Sequence, residues 1–458
     1  MASPGRQAAP SVRSSAVWPV LVGVGVLAGA VAAGIGALSL ADALTATGLP
    51  NPGPATTYGL PFVRAAGEIA AVLAAGSFLF AAFLVPPQTN GVLDACGYRA
   101  LRLGTAASAV WTVCAALLVP LTVSDVSGHP LREHLNPVSV WSAASLVDTA
   151  SAWRWTAFIA AAVTLGSLPV LRWGWTPVLL AGALITLVPL GLTGHSSTGG
   201  AHDLATNSLL IHLIAGALWA GGLLALLAHA MRSGEHADLA ARRFSALALW
   251  CFVAMAASGV VNALVRIQLP DLFRTEYGWL VIGKFVALCV LGLIGWRQRR
   301  SGVAALTTDP EARGPLIRLA LVEAAVFGAT FGIAVGLGRT PPPPVLTEPS
   351  PVEVAIGYDF AGPPTLARVL FDWRFDLIFG TAAILLAVLY VLGVRRLRRA
   401  ATGGPWVARW RGFAAARRCS SPRRRDWAAI CLRCFRCTWW RTCCCPCWCR
   451  SCWCWAHP

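Results

Sequence analysis

Ten apolar runs, each near the ~20 residues that cover ~30 Å of hydrocarbon at ~1.5 Å per residue, restrict what this chain can fold into. They fall at 16–41, 61–85, 103–123, 155–171, 177–192, 205–230, 244–265, 278–296, 316–337 and 375–394. In lipid the backbone must satisfy its own hydrogen bonds, so the runs are expected to be helices, and the alternating pattern of a membrane barrel is absent. With 56% hydrophobic and 12% charged residues and a mean hydropathy of +0.63, the expected fold is an all-α polytopic membrane helix bundle of about ten transmembrane helices.

The formal charge of +17 would suggest an anionic macromolecule as partner, but its distribution argues otherwise. Residues after Ala401 supply eleven Arg against one Asp, and the remaining basic residues cluster in alternate connections between apolar runs. Arg6 and Arg13, Arg99 and Arg102, Arg172, Arg232 with Arg242 and Arg243, Arg297 with Arg299, Arg300 and Arg313, and Arg395 to Arg399 occupy every second gap. That asymmetry predicts a cytoplasmic N-terminus, with residues 1–15 a retained basic lead, in the cell (cytoplasmic) membrane. The bilayer is the expected partner, and no nucleic acid is. There is no phosphate-cradling Gly loop, nucleophile elbow or dinucleotide fingerprint, so no enzyme activity is expected.

The polar stretch Gly194-His195-Ser-Ser-Thr-Gly-Gly-Ala-His202 precedes the sixth run, which carries His212, Trp219, Gly221 and Gly222. Imidazole is the commonest metal-ligating side chain, so two His in an outer loop above a third in a helix form a candidate path for a transition-metal ion. His129 and His134, in the outer connection 124–154, are further candidates. The alternative is open for each: a solvated loop His, or a hydrogen-bonded packing His within a membrane helix.

Charges inside membrane helices are costly and therefore informative. Glu68, His212 and Lys284 each lie six or seven residues in from the outer boundary, roughly 10 Å deep. Arg64 sits one turn above Glu68 and can neutralise it locally. Arg318 and Glu323 enter the ninth run from the other side, so Glu68 is the preferred partner for Lys284. Ser258, Gly259 and Asn262 in the seventh run suit close packing with a polar contact. Met is scarce, and Cys96, Cys114, Cys251 and Cys289 stand singly, without a Cys-x-x-Cys pair.

Ile211-His212 with Trp219-x-Gly221-Gly222, Arg243-Phe244-Ser245 with Ser258-Gly259-Val-Val-Asn262, Tyr277-Gly278 with Lys284, Arg318 with Glu323, and the closing Pro run resemble the copper-resistance protein D (CopD) family over about 204–344. The resemblance implies a copper ion passing across, or handled at, the membrane. His195, His202, His129 and His134 would collect the ion outside, and His212 with Glu68 would receive it. A periplasmic or extracellular copper chaperone is an implied partner. Tyr358-Asp359-Phe360 and Phe371-Asp-Trp-Arg-Phe-Asp376, followed by a helix and Arg395 to Arg399, resemble the start of a CtaG-type cytochrome oxidase assembly module. That second resemblance brings in the cytochrome oxidase.

The organisation read from these features is a lead (1–15), N-terminal membrane helices (16–203), a CopD-like domain (204–340), a Pro-rich outer linker (341–370), the first helix of a truncated second module (371–400) and an anomalous tail (401–458). The tail holds 11 of the 15 Cys and 8 of the 20 Trp. Their codons, read one base earlier, give Leu, Val and Met, so the tail reads as a frameshifted membrane helix. Two functions of other classes stay open on the residues alone: a non-transporting assembly factor for the oxidase, and a membrane haem-binding redox protein, which would need facing His pairs.

Overall fold

The computed structural model describes residues 16–47, 51–193, 201–309 and 311–343, and after these 350, 352–353, 358, 362, 365–371 and 375–400. Its main helices are α1 (Val17–Thr47), α2 (Pro54–Leu79), α3 (Ala95–Ser127), α4 (Pro137–Ala144), α5 (Asp148–Ser167), α6 (Thr176–Ile185), α7 (Val188–Gly191), α8 (His202–Met231) and α9 (Ala237–Arg266). They continue with α10 (Glu276–Arg297), α11 (Ala304–Thr308), α12 (Gly314–Leu337), α13 (Leu366–Phe371) and α14 (Phe379–Ala400). Among the described residues nine helical spans are long and apolar enough to cross a membrane.

The one run of the ten that falls short is the fourth. It folds as α5, twenty residues long, but its first two turns spend length on Asp148, Thr149, Ser151 and Arg154. The fifth run is broken into α6 and α7, the second opening at Pro189, whose missing N–H is tolerated in a first turn.

Helix starts follow the caps. Asp94 accepts from the Gly97 N–H at 2.7 Å and opens α3, which closes on left-handed Gly128 (φ 69°). Thr275 accepts from the Gly278 N–H at 3.0 Å and opens α10.

The hub is α2, flanked by α1, α3, α6 and α8, with 89% of an 18-residue apolar stretch buried. Its sequence explains this: Ala70, Ala71, Ala74, Ala75 and Gly76 let neighbouring backbones approach, which is how helices associate where lipid is as apolar as protein. At Gly76 the approach is complete. A Cβ there would land on the Gly221 backbone of α8, and one at Gly221 would land on the Val72 carbonyl. A second glycine seam joins α12 to α1, where Gly332 faces the Ala28 carbonyl and Gly336 faces Ile35.

The end of α2 widens into a π turn at Phe80–Leu84. Its loosened carbonyls are claimed from elsewhere: Trp173 Nε1 donates to Ala82 O at 2.7 Å and Arg243 Nη1 to Phe83 O at 3.0 Å. Buried hydroxyls tie α2 to α3 (Thr56 to Ser124, 2.7 Å) and α3 to α5 (Thr105 to Ser167, 2.9 Å). Trp111 Nε1 donates to Thr186 Oγ1 at 3.2 Å. Residues from Ala382 form a separate unit, of which α14 is the described part; it contributes one apolar span.

Candidate functional site

The inner histidine sits on the seam between α8 and α9. Ser258 carries one hydroxyl proton and donates it to the Ala254 carbonyl one turn back, at 2.6 Å. Its oxygen, 3.0 Å from His212 Nδ1, is therefore the acceptor, and Nδ1 carries the ring proton. That assignment leaves His212 Nε2 with a bare lone pair, the form in which imidazole binds a metal. One turn above, Asn262 Nδ2 donates to Ser208 Oγ at 2.8 Å, a second polar rung between the same helices. One turn below, the Met255 thioether lies against Gly216. The sequence pattern read Ser258 as packing; its partnership with His212 needs α9 to lie alongside α8, and residue spacing does not carry that. Met255, which the scarcity of methionine gives no reason to single out, stands one turn from Ser258 on the seam that holds His212.

Glu68 is engaged by its own helix: Arg64 Nε donates to Oε1 at 3.1 Å, and the Arg64 guanidinium also lies over the Trp153 ring at 5.7 Å. Lys284, half-buried in α10, is in electrostatic range of Glu68, His212 and Arg266, but among the described residues no ion pair joins it to either carboxylate. Ionisable groups from α2, α8 and α9 thus lie within electrostatic range of Lys284. Glu323 in α12 is elsewhere, 1% exposed, facing the Trp219 indole N–H, with Oε2 lacking a hydrogen-bond partner among the described residues. Trp219 itself stands edge-on to Phe252 and Phe327. Arg318 is exposed and makes no ion pair with Glu323 among the described residues.

His129 and His134 share the connection after α3, their ring centroids 6.4 Å apart. His129 Nδ1 lies 3.0 Å from the Ser127 carbonyl and so donates to it, and His134 Nε2 lies 3.0 Å from Ser127 Oγ. The same end is fastened by Arg339, which takes both oxygens of Asp125 at 2.9 and 3.2 Å. His195 lies outside the described residues, as do Asp359, Phe360, Asp372 to Arg374 and the tail 401–458; for His202 the backbone alone is described, at the start of α8. Among the described residues no group of three or more His, Cys, Asp or Glu side chains converges as a metal cage. His212 and Glu68 are held by different partners, Ser258 and Arg64.

A bundle of apolar spans with ionisable groups held at depth defines a multi-pass membrane protein. Residues 238–337 match the family Copper resistance protein D, and residues 55–204 match Copper resistance protein D-like, N-terminal domain. Together the two matches support a membrane protein of the CopD family; α8, with His212, runs mostly between them. The chain is 28% identical over 412 residues to an uncharacterized protein of Mycobacterium bovis (Mb0105), covering 87% of this chain and 58% of that one. It is 27% identical over 394 residues to one of Mycobacterium leprae (ML1998), covering 84% and 56%. The chain thus spans less than three fifths of the length of these relatives. The inner membrane protein YebZ of Escherichia coli is 25% identical over 250 residues, 53% of this chain and 84% of that protein. No solved structure matches.

Proposed function

We propose that this bundle moves or hands on copper across the cytoplasmic membrane, with His212 as the ligand inside the helices. The observation that carries the reading is the α8–α9 seam: Ser258 fixes the His212 tautomer and leaves Nε2 free to bind a metal. The neighbouring Met255 thioether suits a soft Cu(I), and the imidazole suits either oxidation state. His129 and His134, with His195 and His202, supply the outer collecting groups, and a copper chaperone on that side delivers to them. Glu68 enters the path when Arg64 releases it. Lys284 balances the carboxylate and keeps the level from becoming a closed cation trap. The CopD matches and the inner-membrane relative support the copper cargo and the membrane assignment.

In this reading residues 204–340 form the copper-handling part, 341–370 a linker and 371–400 the opening of a CtaG-like module that ties copper handling to oxidase assembly. A haem-binding role has less support, because the residue that faces His212 from α9 is Ser258 rather than a second His.

The test is cellular copper, measured by atomic absorption under added copper, in cells expressing the chain or His212→Ala at equal membrane abundance. A His212-dependent change in copper content, in either direction, is expected, and its sign gives the direction of movement. Equal copper in the two strains would remove His212 from the path.

A further inference from the structure

The opposite, arginine-rich end of the bundle holds a set of hydrogen-bond donors with nothing to donate to. Four cations there are spoken for. Arg242 pairs with Asp238 at 2.8 Å, Arg243 donates to Phe83 O, Arg299 donates to Ser245 Oγ at 2.9 Å, and Arg300 lies over the Trp296 ring at 4.5 Å. Arg313 differs. Its Nε and Nη1 are buried and have no hydrogen-bond partner among the described residues. The same holds for Nε2 of Gln298, a residue only 7% exposed.

Both residues border one helix start. Arg313 is the N-cap of α12 and makes no capping bond with its side chain. The first turn of α12 has no acidic residue, and Pro315 fills one of its first positions, so the backbone N–H groups of Gly314 and Leu316 remain without intrahelical partners. Gln298 reaches this turn from the π turn that follows α10: its Cγ and the Leu316 Cα flank the same point beside Gly302. A helix N-terminus favours negative charge, so an arginine placed there, with no carboxylate in the turn, is electrostatically uphill unless an anion is present. The same end of the bundle holds a small cavity of about 20 Å³ lined by Arg99, Arg232, His229 and Cys96. His229 is within electrostatic range of Arg99 and Arg313, with the Asp94 carboxylate, which already caps α3, as the one anion among them. Burial and the nearby Arg99 guanidinium lower the proton affinity of Arg232 below its ordinary value, another sign of positive charge in excess.

Orphaned buried donors beside a helix N-terminus whose first turn carries no carboxylate describe an anion site, and two planar N–H groups on one guanidinium fit a tetrahedral oxyanion. We propose that Arg313, Gln298 and the first turn of α12 bind a phosphate group, of the kind carried by an anionic lipid headgroup or by inorganic phosphate. Basic pockets between membrane helices at headgroup level recognise lipid phosphates by this chemistry. The site is independent of the copper reading.

The experiment uses the full chain, purified in a neutral detergent, and follows thermal unfolding by tryptophan fluorescence. Short-chain phosphatidylglycerol, short-chain phosphatidylcholine and inorganic phosphate are titrated separately into the wild type, Arg313→Gln and Gln298→Leu. A rise in Tm with phosphatidylglycerol that phosphatidylcholine does not reproduce, and half-saturation weakened roughly tenfold in Arg313→Gln, is the expected result. A rise with phosphatidylglycerol alone assigns the headgroup; an equal rise with inorganic phosphate assigns the free anion. Gln298→Leu removes an orphan donor at nearly constant volume, so it folds without ligand and still loses part of the response, which decides the matter if Arg313→Gln does not fold. No Tm rise in the wild type with either phosphate source, or a rise unchanged in the variants, overturns the proposal.

Discussion

Helices α2 and α10 are both apolar enough to cross a membrane, yet 89% of an 18-residue apolar stretch of α2 is buried and only 11% of the matching stretch of α10 is. The difference lies in side-chain size. The central stretch of α2 is alanine and glycine, and its neighbours close on it backbone to backbone; α10 points Trp279, Phe285 and Leu293 outward, where lipid takes the place of protein. Between them, α9 is 17% buried and carries the polar rungs that hold α8. The contrast teaches that in lipid a core is made by the residues that leave room, because burying a large apolar side chain gains little over leaving it in hydrocarbon. The candidate copper ligand lies where the tightly packed part meets the lipid-facing part.

The strongest way to break the contrast is at its tightest point. Gly221→Val drives a side chain into the Val72 carbonyl and is expected to cost at least ~3 kcal/mol, read as loss of folded protein in the membrane fraction or a collapse of the Tm in detergent. If Gly221→Val keeps the wild-type Tm, α2 and α8 do not touch as described. Next comes the seam with α9. Ser258→Ala removes the acceptor that fixes His212 and should reduce His212-dependent copper accumulation or loss roughly tenfold, with Tm changed by little. A response equal to wild type would separate the hydrogen bond from the function. Trp111→Phe keeps the ring and deletes the bond to Thr186, an expected loss of ~1 kcal/mol in unfolding experiments. The smallest effect belongs to the lipid face: Leu264→Ala, on exposed α9 surface, should move stability by less than ~0.5 kcal/mol, and a drop of several times that would mean that another protein surface covers α9.

Much of this architecture is legible in the order of residues. The run at 205–230 appears as α8 and that at 316–337 as α12, because twenty apolar residues in lipid have few alternatives. The Arg64 and Glu68 pair is legible too, since i and i+4 on one helix must be neighbours. Contacts between helices are not. Gly76 and Gly221 look like any two of 44 glycines until α2 and α8 are side by side. Ser258 reads as a small packing residue because hydropathy does not say which helix it faces. Asp148 and Arg154 show the opposite failure: the run at 155–171 looks like an ordinary span, while the helix it belongs to begins in a polar segment that shortens its apolar length.

The backbone contact of Gly76 and Gly221 has a mechanical consequence. Two helices that touch main chain to main chain have no side chains to slide past one another, so the point of contact is a fulcrum. His212 stands nine residues along α8 from it, a lever arm of ~14 Å. Rocking α8 by about 10° about that fulcrum carries the imidazole through ~2.5 Å, close to the length of a metal–ligand bond, while the packing at Gly221 hardly changes.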